Sequence, residues 1–193
     1  MLGFEPYDLT EIDGADDLMA PDGIITQSEA EASRLFGART FYSCGGSTLC
    51  IQVTLHLISL YAAQCGKKPV VLAGRNAHKA FVNACALLDI GIEWIYPDDE
   101  QSYIACNITA QQISERLAGQ NGRITAVYIT SPDYLGNMQD IAAIARACHE
   151  SGALLSVDNA HGAYLKFMPT PAHPMDLGAD ICCDSAHKTL GVI

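Results

Sequence analysis

Basic residues are scarce in this chain: eleven lysines and arginines stand against twenty-two aspartates and glutamates, giving a net charge of −11. They do not gather into a stripe, which argues against binding to a nucleic-acid backbone. The acidity suits a cationic substrate and ordinary solubility equally well. Long apolar runs are missing too, since His56, Gln64 and Lys67 interrupt the best candidate before the ~20 residues a membrane helix needs. Met1-Leu2-Gly3-Phe4-Glu5-Pro6 lacks the basic-then-apolar layout of an export signal. The expectation is a soluble, cytoplasmic protein with neither a membrane nor a nucleic acid as partner. No two cysteines have C-x-x-C spacing, so a zinc site has no support and no metal is expected. The eight cysteines (Cys44, Cys50, Cys65, Cys85, Cys106, Cys148, Cys182 and Cys183) are expected as reduced thiols packed as small hydrophobes. Cys182 and Cys183 adjoin on a predicted strand, where neighbours face opposite ways, which disfavours a disulfide between them. The nucleotide fingerprints G-x-x-x-x-G-K-[ST] and G-x-G-x-x-G are both absent.

What the sequence does contain is an alternation of short apolar runs and helical patterns. With 193 residues and 49% hydrophobic composition, one domain with a sizeable core is the default. The apolar excess suits strands buried on both faces, as in parallel α/β sheets. Thr26-x-x-Glu29 reads as a capping box opening a helix that Gly37 closes. Ser47-Thr48, after Gly45-Gly46, opens a second helix running to about Gln64 and ended by Gly66. Strands are predicted at Val70–Leu72, Glu93–Tyr96, Ala126–Ile129, Ala153–Val157 and Ile181–Cys183. Helices are predicted from Ala77 to Leu88, after the capping box Thr109-x-x-Gln112, and through Ile141, Ile144, Ala145 and Cys148 up to Gly152.

Ligands of open parallel sheets bind beyond the carboxyl ends of the strands. Four polar segments fall at such ends: Arg75-Asn76-Ala77-His78, Ser131-Pro132-Asp133-Tyr134, Asp158 to His161, and Ser185 to Lys188. Gly45-Gly46-Ser47-Thr48 has the chemistry of a phosphate cradle, with exposed amides, hydroxyls and a helix dipole; Ser47 or Thr48 as a plain N-cap is the alternative. Asp158 ends an apolar strand, where its carboxylate either caps the next helix or binds a loop amide, or holds a proton on a heterocyclic nitrogen. Lys188 is an ordinary surface lysine or, if its pKa is depressed by partial burial beside cations such as His187, a Schiff-base former. His78 and His161 are core histidines or flat faces for a cofactor ring. His56, His149 and His173 receive no function, and Tyr134 either orients substrate or packs, with packing the preferred reading.

In their order along the chain these segments resemble pyridoxal-phosphate enzymes of the aspartate-aminotransferase fold, and more narrowly the Orn/Lys/Arg decarboxylase family. The resemblance runs through Asp8-Leu9-Thr10-Glu11-Ile12-Asp13-Gly14 to Leu18, then Arg34-Leu35-Phe36-Gly37-Ala38 and Gly46-Ser47-Thr48. It continues with Arg75-Asn76-Ala77-His78-Lys79, Thr130-Ser131-Pro132, Asp158-x-x-His161-Gly162 and Ser185-Ala186-His187-Lys188-Thr189-Leu190. The fold it implies is α/β, a mostly parallel sheet flanked by helices, with residues 1–193 forming part of the cofactor-binding major domain. It implies pyridoxal 5'-phosphate held as a Schiff base by Lys188, with Asp158 on the pyridine nitrogen, His78 stacked on the ring and His161 near its edge. Ser47, Thr48, Ser185 and His187 would hold the phosphate. The implied reaction is decarboxylation of arginine, lysine or ornithine to agmatine or a diamine, by a homo-oligomer that is at least a dimer. Other enzymes on this fold, such as aminotransferases and carbon–sulfur lyases, and a non-catalytic remnant are the alternatives.

Three positions depart from the family pattern: an acidic residue is expected at Asn159, threonine at Asp133 and proline at Gly191. Asn159 is expected to leave the cofactor contacts intact, Asp133 to add negative charge beside the site, and Gly191 to loosen the segment after Lys188. Members of the family run well beyond twice this length, with the rest of the large domain and a small domain following the lysine. The expectation is therefore a fragment of a longer enzyme, or a truncated product inactive by itself.

Overall fold

The structure, a computed structural model, describes residues 14–97 and 104–192. The segment Asp8 to Asp13, part of the family resemblance, lies outside the described residues. The chain divides into two compact units, Met1–Cys44 and Gly45–Ile193.

The first unit holds helix α1, Ile24–Phe36, ended by Gly37 at φ 69°. Its entrance differs from the predicted capping box. The N-cap is Gly23, Thr26 Oγ1 donates to the Pro21 carbonyl at 2.8 Å, and Glu29 accepts from the Tyr42 amide at 2.8 Å. Asp16 does the capping from upstream, accepting from the amides of Asp17, Asp22, Gly23 and Ile25. Desolvation opposes ionisation of its carboxyl, but these four donors prevail and hold it below the usual carboxylate range.

The second unit is a five-stranded sheet between helices. Its strands are β1 (Val70–Gly74), β2 (Gly91–Ile95), β3 (Ala126–Thr130), β4 (Leu154–Asn159) and β5 (Ile181–Asp184). They lie in the order β2-β1-β3-β4-β5, every adjacent pair parallel. Helices α2 (Gly46–Gln64), α3 (Lys79–Leu87), α4 (Ala110–Ala118), α5 (Ile141–Glu150) and the short α6 (Ala186–Thr189) complete it. The period-2 alternation of the strands sorts the core into two clusters. Leu72, Val127, Ile129, Leu155 and Val157 pack with Ile113 and Leu117 of α4 and with Ile141 and Ile144 of α5. Val71, Ala73, Ala126, Tyr128 and Cys183 pack with Ile51, Leu55 and Ile58 of α2 and with Phe81 and Ala84 of α3. Helices cover both faces, and this is why β3 is buried at all five positions and its sequence is nearly continuous in apolar character. The fold class expected from the sequence is the one observed.

Thr109 and Gln112 form the predicted capping box, each side chain accepting from the other's amide, at 3.2 and 2.9 Å. The expectation about apolar runs needs correction. Helix α2, 19 residues long, is long and apolar enough by length and composition alone to cross a membrane. Its Ile51, Thr54, Leu55, Ile58 and Ala62 are buried within the unit, while Leu49, Val53, Leu57 and Leu60 are exposed. Cys182 and Cys183 face opposite sides of the sheet as expected, Cys183 entering the α2/α3 cluster, and all eight cysteines are free thiols.

Candidate active site

The strand order reverses direction between β1 and β3, since β2 follows β1 on one side while β4 and β5 follow β3 on the other. At such a switch point the loops leaving neighbouring strands diverge and open a crevice beyond their carboxyl ends. A cleft lies there, lined by Ser47, Ile51, His78, Thr130, Tyr134, Asp158, Ala160, His161 and Lys188. Of the residues singled out from the sequence, Ser47, His78, Asp158, His161 and Lys188 thus meet in one place. Thr48, Ser185 and His187 stand outside the cleft wall. Thr48 is exposed in the first turn of α2, and Ser185 Oγ lies 3.2 Å from His187 Nδ1 beside the lysine.

Asp158 reaches the cleft because the alternation of β4 turns it toward α2 and α3, level with Thr130 on β3 and Cys183 on β5. It is 3% exposed. Both carboxylate oxygens have donors: the Tyr128 hydroxyl donates to Oδ2 at 3.0 Å and the Ala160 amide to Oδ1 at 3.2 Å. Burial, then the neighbouring carboxylate, pushes the Tyr128 phenol well above its ordinary range, so it acts purely as a donor here. The Tyr128 ring is fixed in turn by Phe81 of α3, centroid to centroid 4.3 Å. Sequence reading missed Tyr128. The available signal was its spacing, two residues before Thr130 on a strand and so on the same face.

His78 is the N-cap of α3, its Nδ1 accepting from the Ala80 amide at 3.2 Å. That bond defines the tautomer with hydrogen on Nε2 and fixes the ring plane at the cleft wall. Across the cleft His161 Nε2 lies 3.4 Å from Lys188 Nζ. Burial, then the charge of Lys188, lowers the His161 pKa below its usual 6.5, with Asp158 opposing; the imidazole is neutral at pH 7. Tyr134, read from the sequence as packing, is 55% exposed, lines the cleft and meets the His161 ring edge-on at 5.2 Å.

The N-cap of α2 is Gly45, so neither Ser47 nor Thr48 is the plain N-cap that the sequence left open. The helix begins with no side-chain cap, which leaves its N-terminal dipole available to an anion at Ser47. Thr130 supplies a further sign of a ligand: its Oγ1 is buried at the cleft wall with no hydrogen-bond partner. A buried carboxylate, an amine, a flat imidazole, an orphaned hydroxyl and an anion-favouring helix end fit a phosphorylated, nitrogen-heterocyclic aldehyde such as pyridoxal phosphate.

Residues 6–193 match the Orn/Lys/Arg decarboxylase major domain. The chain belongs to the Orn/Lys/Arg decarboxylase family. It is 31% identical over 193 residues to the uncharacterized protein YaaO of Bacillus subtilis, covering 97% of this chain and 39% of that protein. It is also 31% identical to an arginine decarboxylase of the same organism, covering 95% of this chain and 37% of the relative. The chain thus spans about two fifths of the length of these relatives. Among solved structures, mouse CSAD in its apo form superposes with a TM-score of 0.69 at 16% identity, over 86% of this chain and 38% of that one. Oryza sativa TDC, solved with PLP and tryptamine, gives 0.67 at 18% identity, over 86% and 39%. At these identities the structural likeness establishes the fold.

The departures from the decarboxylase family pattern have structural explanations. Asp133 is turned into its own loop rather than into the cleft. Its Oδ1 accepts from the Leu135 and Asn137 amides at 2.8 and 2.9 Å and its Oδ2 from Asn137 Nδ2 at 2.9 Å, so it ties its own turn together at 2% exposure. Gly191 has φ +66°, a conformation closed to proline, whose ring holds φ near −65°. Asn159 is fully buried and turned to the face away from the cleft, where it hydrogen-bonds Asp184.

Proposed function

We propose that this chain forms the pyridoxal-phosphate site of a decarboxylase acting on a basic amino acid, arginine, lysine or ornithine. The observation that carries the reading is the convergence of Asp158, His78, His161 and Lys188 from three strand ends on one cleft at the switch point. The naming of the Bacillus subtilis relative as an arginine decarboxylase supports the substrate class. When bound, pyridoxal phosphate supplies a protonated ring that takes up the electron pair left behind as carbon dioxide departs.

The chain's own residues have separable tasks. Lys188, whose side chain lines the cleft beside His161, is the amine that would hold the cofactor through its aldehyde. Asp158, which accepts from the Tyr128 hydroxyl and the Ala160 amide, would keep the proton on the ring nitrogen. His78 presents a flat face whose orientation is set by its bond to the Ala80 amide. His161, neutral and beside Lys188, accepts a hydrogen bond from the ammonium and is placed to take its proton. The α2 N-terminus with Ser47 and Thr48 on one side, and Ser185 with His187 on the other, would hold the phosphate. The test is carbon dioxide release from each of the three amino acids by the full-length protein loaded with pyridoxal phosphate. Release from one of them is expected; cofactor bound without release from any contradicts the decarboxylase reading.

A further inference from the structure

Behind the sheet, on the face away from the cleft, β4 and β5 end in a cluster that the chemistry above does not use. Asp184, the last residue of β5, pairs in register with Asn159, the last of β4. Its Oδ1 accepts from Asn159 Nδ2 at 2.5 Å, with the Cys182 thiol 3.9 Å away. Its Oδ2 lies 3.0 Å from Nε2 of His173, a side chain with no solvent exposure. The ligating atoms of His173, Cys182 and Asp184 fall within 4.8 Å of one another, near enough to suggest a metal site. The hydrogens argue otherwise. His173 Nδ1 accepts from the Met175 amide at 3.3 Å, so the neutral ring carries its hydrogen on Nε2, where a metal would need the lone pair. Nε2–H therefore donates to Asp184, and the carboxylate is the shared acceptor of a buried donor set. Burial, then Asp184, pushes the Cys182 thiol well above its ordinary range, consistent with a protonated donor.

The location gives the cluster its use. Asn159 directly follows Asp158, and Asp184 directly precedes the Ser185–Lys188 segment. We propose that Asp184, bridged to Asn159 and braced by His173, is a positioning residue that fixes the spacing between Asp158 and Lys188, both of which line the cleft. This rests on the pyridoxal-phosphate reading of the cleft. It also accounts for the departure at position 159. An acidic residue there would set one carboxylate against another across the two strands, whereas asparagine offers Asp184 a donor. The two positions form a matched pair, and a mismatch moves the lysine relative to the carboxylate by fractions of an ångström, enough to impair bonding to the cofactor.

The test is a charge exchange read by titration with pyridoxal 5'-phosphate, following the absorbance of the adduct at Lys188 and the thermal midpoint of each variant. Asn159→Asp is expected to weaken cofactor binding about tenfold or more, and the double exchange Asn159→Asp with Asp184→Asn is expected to restore it. Unchanged affinity in the single variant, or a loss that the double exchange leaves unrepaired, overturns the proposal. Should Asn159→Asp not fold, Asp184→Asn, which adds no charge, is expected to lose affinity in the same titration, and unaltered binding there overturns it equally. A wild-type protein that forms no adduct overturns the pyridoxal-phosphate reading instead, so the two failures are distinguishable.

Discussion

Asp158 illustrates how much of a site lies in the donors around a charge. Read alone, an aspartate at a strand end was equally a structural ligand, capping the next helix or binding a loop amide, or a cofactor ligand; it accepts from the Ala160 loop amide just beyond the strand and its side chain also lines the cleft. The Tyr128 hydroxyl on its other oxygen comes from a different strand, thirty residues away, where one sequence offers no signal of contact. Tyr128→Phe leaves a buried carboxylate oxygen short of a donor and is expected to cost about 1–3 kcal/mol in urea unfolding; an unaltered midpoint would mean the bond is not made. His161 gives a second check. Its imidazole should titrate below 6.5 when followed by proton NMR, because burial and Lys188 both disfavour the cation. In Lys188→Met the value should rise yet stay below 6.5, since burial is the larger cause. The linked stability is present above pH 6.5 and is lost as pH falls from 6.5 toward the folded-state value, the range in which the unfolded chain binds the extra proton.

Secondary structure was legible wherever the signal is local. The Thr109–Gln112 box lies within one turn, and its prediction held; Thr109→Ala should cost about 1 kcal/mol, measured by thermal or urea unfolding. The entrance of α1 was misread because its cap, Asp16, sits eight residues before the first helical residue, outside any N-cap pattern. His173 escaped notice for a similar reason: its role depends on Asp184, on a different element. The turn after β4 shows why glycine follows His161. A Cβ at Gly162 would stand 2.1 Å from Asn159 Oδ1, 2.6 Å from Pro132 Cδ and 2.8 Å from Leu165 Cδ1. Gly162→Ala is therefore expected to destabilise by about 1–3 kcal/mol, and because the clash falls on Asn159 it should also lower affinity for pyridoxal phosphate. A stable variant with normal cofactor affinity would contradict this packing.

At the scale of the molecule, the sequence conveyed a mostly parallel sheet flanked by helices through its alternation of strands and helices, and the strand order, which it did not convey, assembles the site. Segments at positions 47, 78, 130, 158 and 188 become neighbours only because β1, β3, β4 and β5 are parallel and adjacent, with their carboxyl ends on one side. What the sequence could not show was which of the polar loops reach the cleft: Tyr134 does, whereas Asp133 turns back into its own loop. The measurement that bears most directly on the whole account is borohydride reduction of the folded protein with pyridoxal 5'-phosphate, followed by peptide mapping. The account predicts a single adduct, on Lys188, that is lost in Lys188→Met. A folded sample that carries no adduct, or carries it at a lysine outside the cleft, would contradict it.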